Sequence, residues 1–157
     1  MQVEVNGARL WFDVDGPALV PDGPAMRERP TVVLLHGGPG SFDHSYLKPD
    51  FSRLAEVAQV VYLDLPGHGR SEGPALPSVG ALADWLVRAM DALKLEKAAL
   101  VGHSMGALIA LETAARAPSR VWALALLGIA TRMPVHPDLL KSAQSEVAAA
   151  RQPIEPI

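Results

Sequence analysis

The 157-residue chain contains no cysteine, which excludes disulfides, thiolate catalysis and thiolate metal sites. It also lacks a surplus of either charge. A net charge of −3 offers neither the basic patch that binds nucleic acid nor a repelling acidic tail. No apolar run is long enough to span a bilayer, and Met1-Gln2-Val3-Glu4-Val5 has no basic segment leading into a long apolar core. A cytoplasmic protein without membrane contact is the expectation. No internal repeat occurs and no low-complexity segment beyond an alanine bias. With 49% apolar residues, a chain of this length can bury a proper core as one domain.

Apolar strands alternate with amphipathic helices along most of the sequence. Val3 and Val5, then Leu10, Phe12 and Val14, alternate with polar residues around Asn6-Gly7, predicting a hairpin of strands at 2–6 and 9–15. Residues 16–30 carry four prolines with Gly16 and Gly23 and read as a surface loop. Thr31 to Leu35 is a short apolar run of the kind covered on both faces of a sheet. Phe51, Leu54 and Ala55 follow helical spacing from Asp50 as a candidate N-cap. A strand is expected at 59–63, then a helix capped by Ser78 whose apolar face is Val79, Leu82, Leu86, Met90 and Leu93. Strands at 97–101 and 120–127 flank a helix at 104–116 that stops before Pro118. Residues 137–150 are alanine-rich and helical in character, and 151–157 read as linker. The fold class that follows is α/β, a mostly parallel sheet flanked by helices with an antiparallel hairpin at the N-terminus.

Three unusual loops are expected at the carboxyl ends of strands, where open α/β sheets bind ligands. They are His36-Gly37-Gly38-Pro39-Gly40-Ser41, Asp64-Leu65-Pro66-Gly67-His68-Gly69-Arg70-Ser71, and Gly102-His103-Ser104-Met105-Gly106. The last is a Gly-x-Ser-x-Gly pentad between a strand and a helix, which lifts a weakly nucleophilic hydroxyl clear of the backbone beside amide N–H groups. Gly102 and Gly106 suit it because a side chain at either would crowd the turn. In the first loop, Gly38 can present its N–H beside that of Met105 as an oxyanion hole, where each donor lowers the barrier by roughly 2.7–4 kcal/mol. The plain alternatives are a chance pentad and an ordinary glycine–proline turn. A phosphate loop would need the lysine of its motif, and a dinucleotide fingerprint would need glycine where Ser104 stands. No cofactor and no metal are expected.

Taken together and in this order, the three loops resemble the α/β-hydrolase superfamily. The HGGPG loop followed by Phe42-Asp43-His44-Ser45 is similar to the proline iminopeptidase branch, whereas Gly-His-Ser-Met-Gly is more usual among small esterases and carbon–carbon bond hydrolases. The resemblance covers the chain to about Leu127-Gly128 and implies Ser104 as nucleophile, with Gly38 and Met105 as oxyanion donors. His36, Gly37, Pro39, Gly40, Gly102, His103 and Gly106 then shape the site. His68 is expected in the site wall, His44 and His136 on the surface or a lid, and Asp64 in a structural role, because it precedes the serine. The family places its acid and histidine after the last strands, and neither can be assigned here. The expectation is therefore an N-terminal part of a hydrolase core over 1–130, with the start of a lid and a tail over 131–157. Its substrate would be a small molecule or short peptide, and it would turn over little by itself. The strand near 121–127, left at an edge, could pair with another copy. The rival reading is a non-catalytic binding or assembly module on a partial hydrolase fold.

Overall fold

A computed structural model of the chain describes residues 1–38, 42–130, 137, 138 and 141. Pro39, Gly40 and His136, the greater part of the expected lid helix and the tail lie outside the described residues.

Strands β1 (Gln2–Val5) and β2 (Ala8–Asp15) form the expected hairpin. Asn6 and Gly7 both take positive φ, 54° and 79°, and Val5 pairs with Ala8, so the two residues make the tight turn that suits strand twist. The next segment departs from the sequence reading. Residues 16–30 are not merely a loop, for β3 (Leu19–Asp22) and β4 (Ala25–Glu28) pair antiparallel within it. Its prolines are tolerated because this two-stranded ribbon is largely exposed and has no inner strand whose ladder they would interrupt.

Strands β5 (Thr31–Leu35), β6 (Gln59–Leu63), β7 (Ala98–His103) and β8 (Val121–Leu127) are parallel, and the main sheet runs β1-β2-β6-β5-β7-β8. Between β5 and β6 a helix from Asp50 was expected. Instead a 3₁₀ turn at His44–Leu47 leads into α1 (Lys48–Phe51) and a second 3₁₀ turn at Ser52–Glu56. The capping residue is Asp43, whose carboxylate accepts from the Ser45 N–H at 2.7 Å. Pro49 belongs in a first helical turn, which puts Asp50 inside α1 rather than ahead of it.

Helix α2 (Val79–Ala92) begins at Ser78, whose hydroxyl accepts from the Ala81 N–H at 3.1 Å. Helix α3 (Met105–Arg116) packs beside it. On the face they cover, Val33, Leu35, Val61, Leu63 and Leu100 meet Leu82, Trp85, Leu86, Met90 and Ile109. On the other face Val32, Leu34, Val60, Tyr62 and Val101 pack with Leu47 and Ala58. This alternation is the period of two expected of strands buried on both sides. Strand β8 carries an irregularity: Ala98 pairs with Val121 but Ala99 with Ala123, leaving Trp122 as the extra residue of a bulge. Among the described residues, β8 is one edge of the sheet.

Candidate functional site

Register brings the three loops together. Leu35, the last residue of β5, pairs with Leu63, the last of β6, and with Gly102 near the end of β7. The segments beginning at His36, Asp64 and His103 therefore leave the sheet at one level, side by side.

The turn out of β7 is tight. Ser104 has φ 53° and ψ −116°, in the left-handed half of the map that a residue with a Cβ rarely occupies. Its carbonyl accepts from the Ala107 N–H at 3.0 Å, starting α3 one residue later than the sequence suggests, and its N–H donates to the Leu127 carbonyl at 2.8 Å. A Cβ on Gly102 would strike the Gly106 carbonyl, and one on Gly106 would strike the Leu35 carbonyl. Both glycines are needed where the pentad requires them.

Gly38 faces this turn from β5. A Cβ there would lie 2.7 Å from Met105 Cε and 3.2 Å from His68 Nε2, so the backbone passes closely between those two side chains. Met105 is the first residue of α3 and its N–H precedes the helix's own hydrogen bonds. Among the described residues the Gly38 N–H and the Ser104 hydroxyl also have no hydrogen-bond partner.

Buried His36 fixes the Gly37–Gly38 peptide. Its Nε2 accepts from the Leu65 N–H at 3.0 Å, which leaves the proton on Nδ1 to be donated to the Gly37 carbonyl at 2.5 Å. Burial holds the ring's pKa below the ordinary histidine value, in keeping with the neutral form this pattern needs. In a trans peptide the carbonyl and the next N–H point opposite ways, so a carbonyl held by His36 sends the Gly38 N–H away from it. His68 donates from Nδ1 to the Pro66 carbonyl at 2.9 Å, and its ring lies 5.4 Å from that of His36.

His44 is not on the surface. It is buried, with Nδ1 2.6 Å and its backbone N 2.9 Å from Asp64 Oδ1, and Nε2 3.2 Å from Asp13 Oδ2. Both ring nitrogens donate to carboxylates, the hydrogen bond to Asp64 above all, and the imidazole pKa is raised. Burial would raise the Asp64 carboxyl, but hydrogen bonds from the His44 ring and from the Arg70 and His44 N–H groups outweigh it and the pKa falls. All of this leaves Asp64 tied into its turn. Asp43, His44 and Asp64 bring candidate metal-ligand atoms within 4.8 Å of one another. With its protons committed to carboxylates, His44 offers no lone pair to a cation, and the cluster is an ion-pair network extended by Lys48, 3.0 Å from Asp13.

Tyr46 is the residue the sequence reading passed over. Its hydroxyl accepts from the Gly37 N–H at 2.7 Å and lies 2.8 Å from His103 Nδ1, with the two rings edge to face at 5.6 Å. The signal was present in Asp43-x-Ser45, a capping pattern that starts a helical turn and aims the tyrosine back at the loop.

With that geometry in place, comparison with known proteins is specific. Residues 30–151 match the family of the alpha/beta hydrolase fold. The chain is 41% identical over 99 residues to the dihydrolipoyllysine-residue acetyltransferase component of the acetoin cleaving system of Cupriavidus necator, covering 62% of this chain and 26% of that one. It is 30% identical over 130 residues to proline iminopeptidase PfmaB of Pestalotiopsis fici, covering 82% and 43%. Among solved structures, the enol-lactonase of Burkholderia xenovorans superposes with a TM-score of 0.68 at 31% identity, covering 80% of this chain and 45% of that one. The chain thus spans less than half the length of each of these three proteins. No described helix is long and apolar enough to cross a membrane.

Proposed function

Because the chain belongs to the α/β-hydrolase family, we propose that it carries the nucleophile and oxyanion hole of a serine hydrolase acting on a small ester, amide or N-terminal peptide bond. Ser104 Oγ attacks the carbonyl carbon while its proton passes to a general base and on to the departing alcohol or amine. The acyl-enzyme is then released by water. The negative charge on the carbonyl oxygen is held by the N–H groups of Gly38 and Met105. One observation carries this reading: Ser104 sits on a strained elbow at the start of α3, and the Gly38 N–H has no hydrogen-bond partner among the described residues. An aspartate nucleophile, as in epoxide hydrolases, has no counterpart at this position.

The acid and the histidine of the triad follow the serine in the family order, and two of the described histidines are committed through both ring nitrogens: His36 to Leu65 and Gly37, His44 to two carboxylates. Without a base, only the oxyanion hole and binding remain, roughly 10³–10⁴-fold over water. The residues described here are therefore proposed to react slowly. The lactonase and iminopeptidase relatives favour ester and amide substrates equally.

A second reading, a non-catalytic binding module on the same fold, is favoured by a Ser104 hydroxyl that has no partner among the described residues. An alkyl fluorophosphonate separates the two. The serine reading expects labelling at Ser104 well above the rate of the same chain unfolded in denaturant, abolished by Ser104→Ala. Equal rates in the folded and unfolded chain would favour the binding module.

A further inference from the structure

The two walls of the proposed oxyanion hole belong to different strands. Gly38 follows β5 and Met105 follows β7, and their spacing must be held to a fraction of an ångström for both N–H groups to reach one oxygen. The Tyr46 side chain reaches both segments above the sheet. Resting on the serine-hydrolase reading, we propose that Tyr46 is a positioning residue, a strut that sets the distance and orientation of the Gly38 donor relative to the Ser104 elbow.

Three observations support the strut. The Tyr46 hydroxyl accepts from the Gly37 N–H at 2.7 Å, which fixes the peptide before the one fixed by His36. Having accepted there, it has its own proton to give to His103 Nδ1 at 2.8 Å, on the residue adjoining the nucleophile. The crowding is mutual: a Cβ on Gly37 would lie 3.2 Å from His103 Nδ1, 3.3 Å from Ser104 Cβ and 3.4 Å from the Tyr46 hydroxyl. All three groups therefore close on one point beside buried Gly37.

The strut has its own foundation. Asp43 caps the 3₁₀ turn that carries Tyr46, and His44 within it is bonded to Asp64 through both ring and backbone. The ring is further held edge to face by Phe42 at 5.9 Å. Tyr46 thus hangs from the β6 end of the sheet and reaches across β5 to β7. Among the described residues its hydroxyl is hydrogen-bonded to Gly37 and His103 and not to Ser104, so it acts through those two neighbours.

Tyr46→Phe removes the hydroxyl and keeps the ring. In the full chain, the first-order phosphonylation rate of Ser104 by an alkyl fluorophosphonate is expected to fall about tenfold, less than the 10²–10³-fold that follows outright loss of a donor. The half-saturating probe concentration should stay unchanged. Hydrogen exchange of the Gly37 amide, followed by NMR, should accelerate at least about tenfold while Val33 and Leu34 in β5 keep their protection, a selectivity that general destabilisation would not produce. A variant that labels at the wild-type rate, or whose Gly37 amide exchanges as before, overturns the strut and leaves the serine reading standing. A wild-type chain labelled no faster than unfolded chain overturns that reading and the strut with it.

Discussion

His44 Nδ1 lies 2.6 Å from Asp64 Oδ1, and the pair joins the segment after β5 to the end of β6. The pKa of His44 is raised by this hydrogen bond and that of Asp64 is lowered. A raised histidine stabilises the fold fully below its unfolded pKa of about 6.5, and the contribution is lost as pH rises through the folded value. A lowered carboxyl contributes above about 3.8 and is lost as pH falls through its folded value. His36, lowered by burial, adds a second loss on the acid side, below about 6.5. The melting temperature should therefore peak near pH 6–7 and decline in both directions. His44→Gln should flatten the alkaline limb and leave the His36 contribution on the acid side, as read by thermal scans across pH.

Gly106 admits no side chain, since a Cβ would meet the backbone carbonyls of Leu35 and His36. Carbonyls in a central strand cannot swing aside as a flexible side chain can. Gly106→Ala should cost about 3 kcal/mol or more, seen as a lower urea midpoint with the slope unchanged.

Strain at Ser104 has a measurable counterpart. A non-glycine residue at φ 53°, ψ −116° costs about 1–3 kcal/mol, which glycine would relieve at the expense of greater chain entropy when unfolded. Ser104→Gly should raise stability by roughly 1 kcal/mol while removing fluorophosphonate labelling. Ser104→Ala should remove labelling and leave stability nearly unchanged. A Ser104→Gly chain less stable than wild type would show that the turn is not strained.

Among the described residues one side of β8 has no neighbouring strand, and it is a candidate for pairing with a second copy, with Trp122, Leu124 and Leu127 substantially exposed. The wild-type sedimentation coefficient is expected to rise with concentration, and that of Leu124→Lys to stay at the monomer value. A wild-type chain that sediments as a monomer throughout would remove this pairing.

Much of the scaffold was legible from local pattern. Asn6-Gly7 announced its hairpin because two positive φ values are needed there, and the apolar runs at 31–35 and 59–63 announced strands buried on both faces. The pentad was readable for the same reason, since glycine spacing reports backbone crowding. Asp50 misled because helical spacing cannot reveal that Pro49 belongs to a first turn begun elsewhere. His44 misled more deeply. Its partners Asp13 and Asp64 are 31 and 20 residues distant, and only the pairing of β2 with β6 brings them to it. Tyr46 was hidden likewise, because its partner His103 lies 57 residues along the chain.

The 2.8 Å bond from the Ser104 N–H to the Leu127 carbonyl makes the last residue of β8 a stay for the strained elbow. Fraying of that strand would slacken the turn and let Ser104 relax toward ordinary backbone angles. Whatever stiffens β8 would hold the hydroxyl at attention. Occupancy of the sheet edge would then be coupled to the shape of the elbow, and a ligand that binds the elbow reversibly and favours its strained form should in turn tighten the edge.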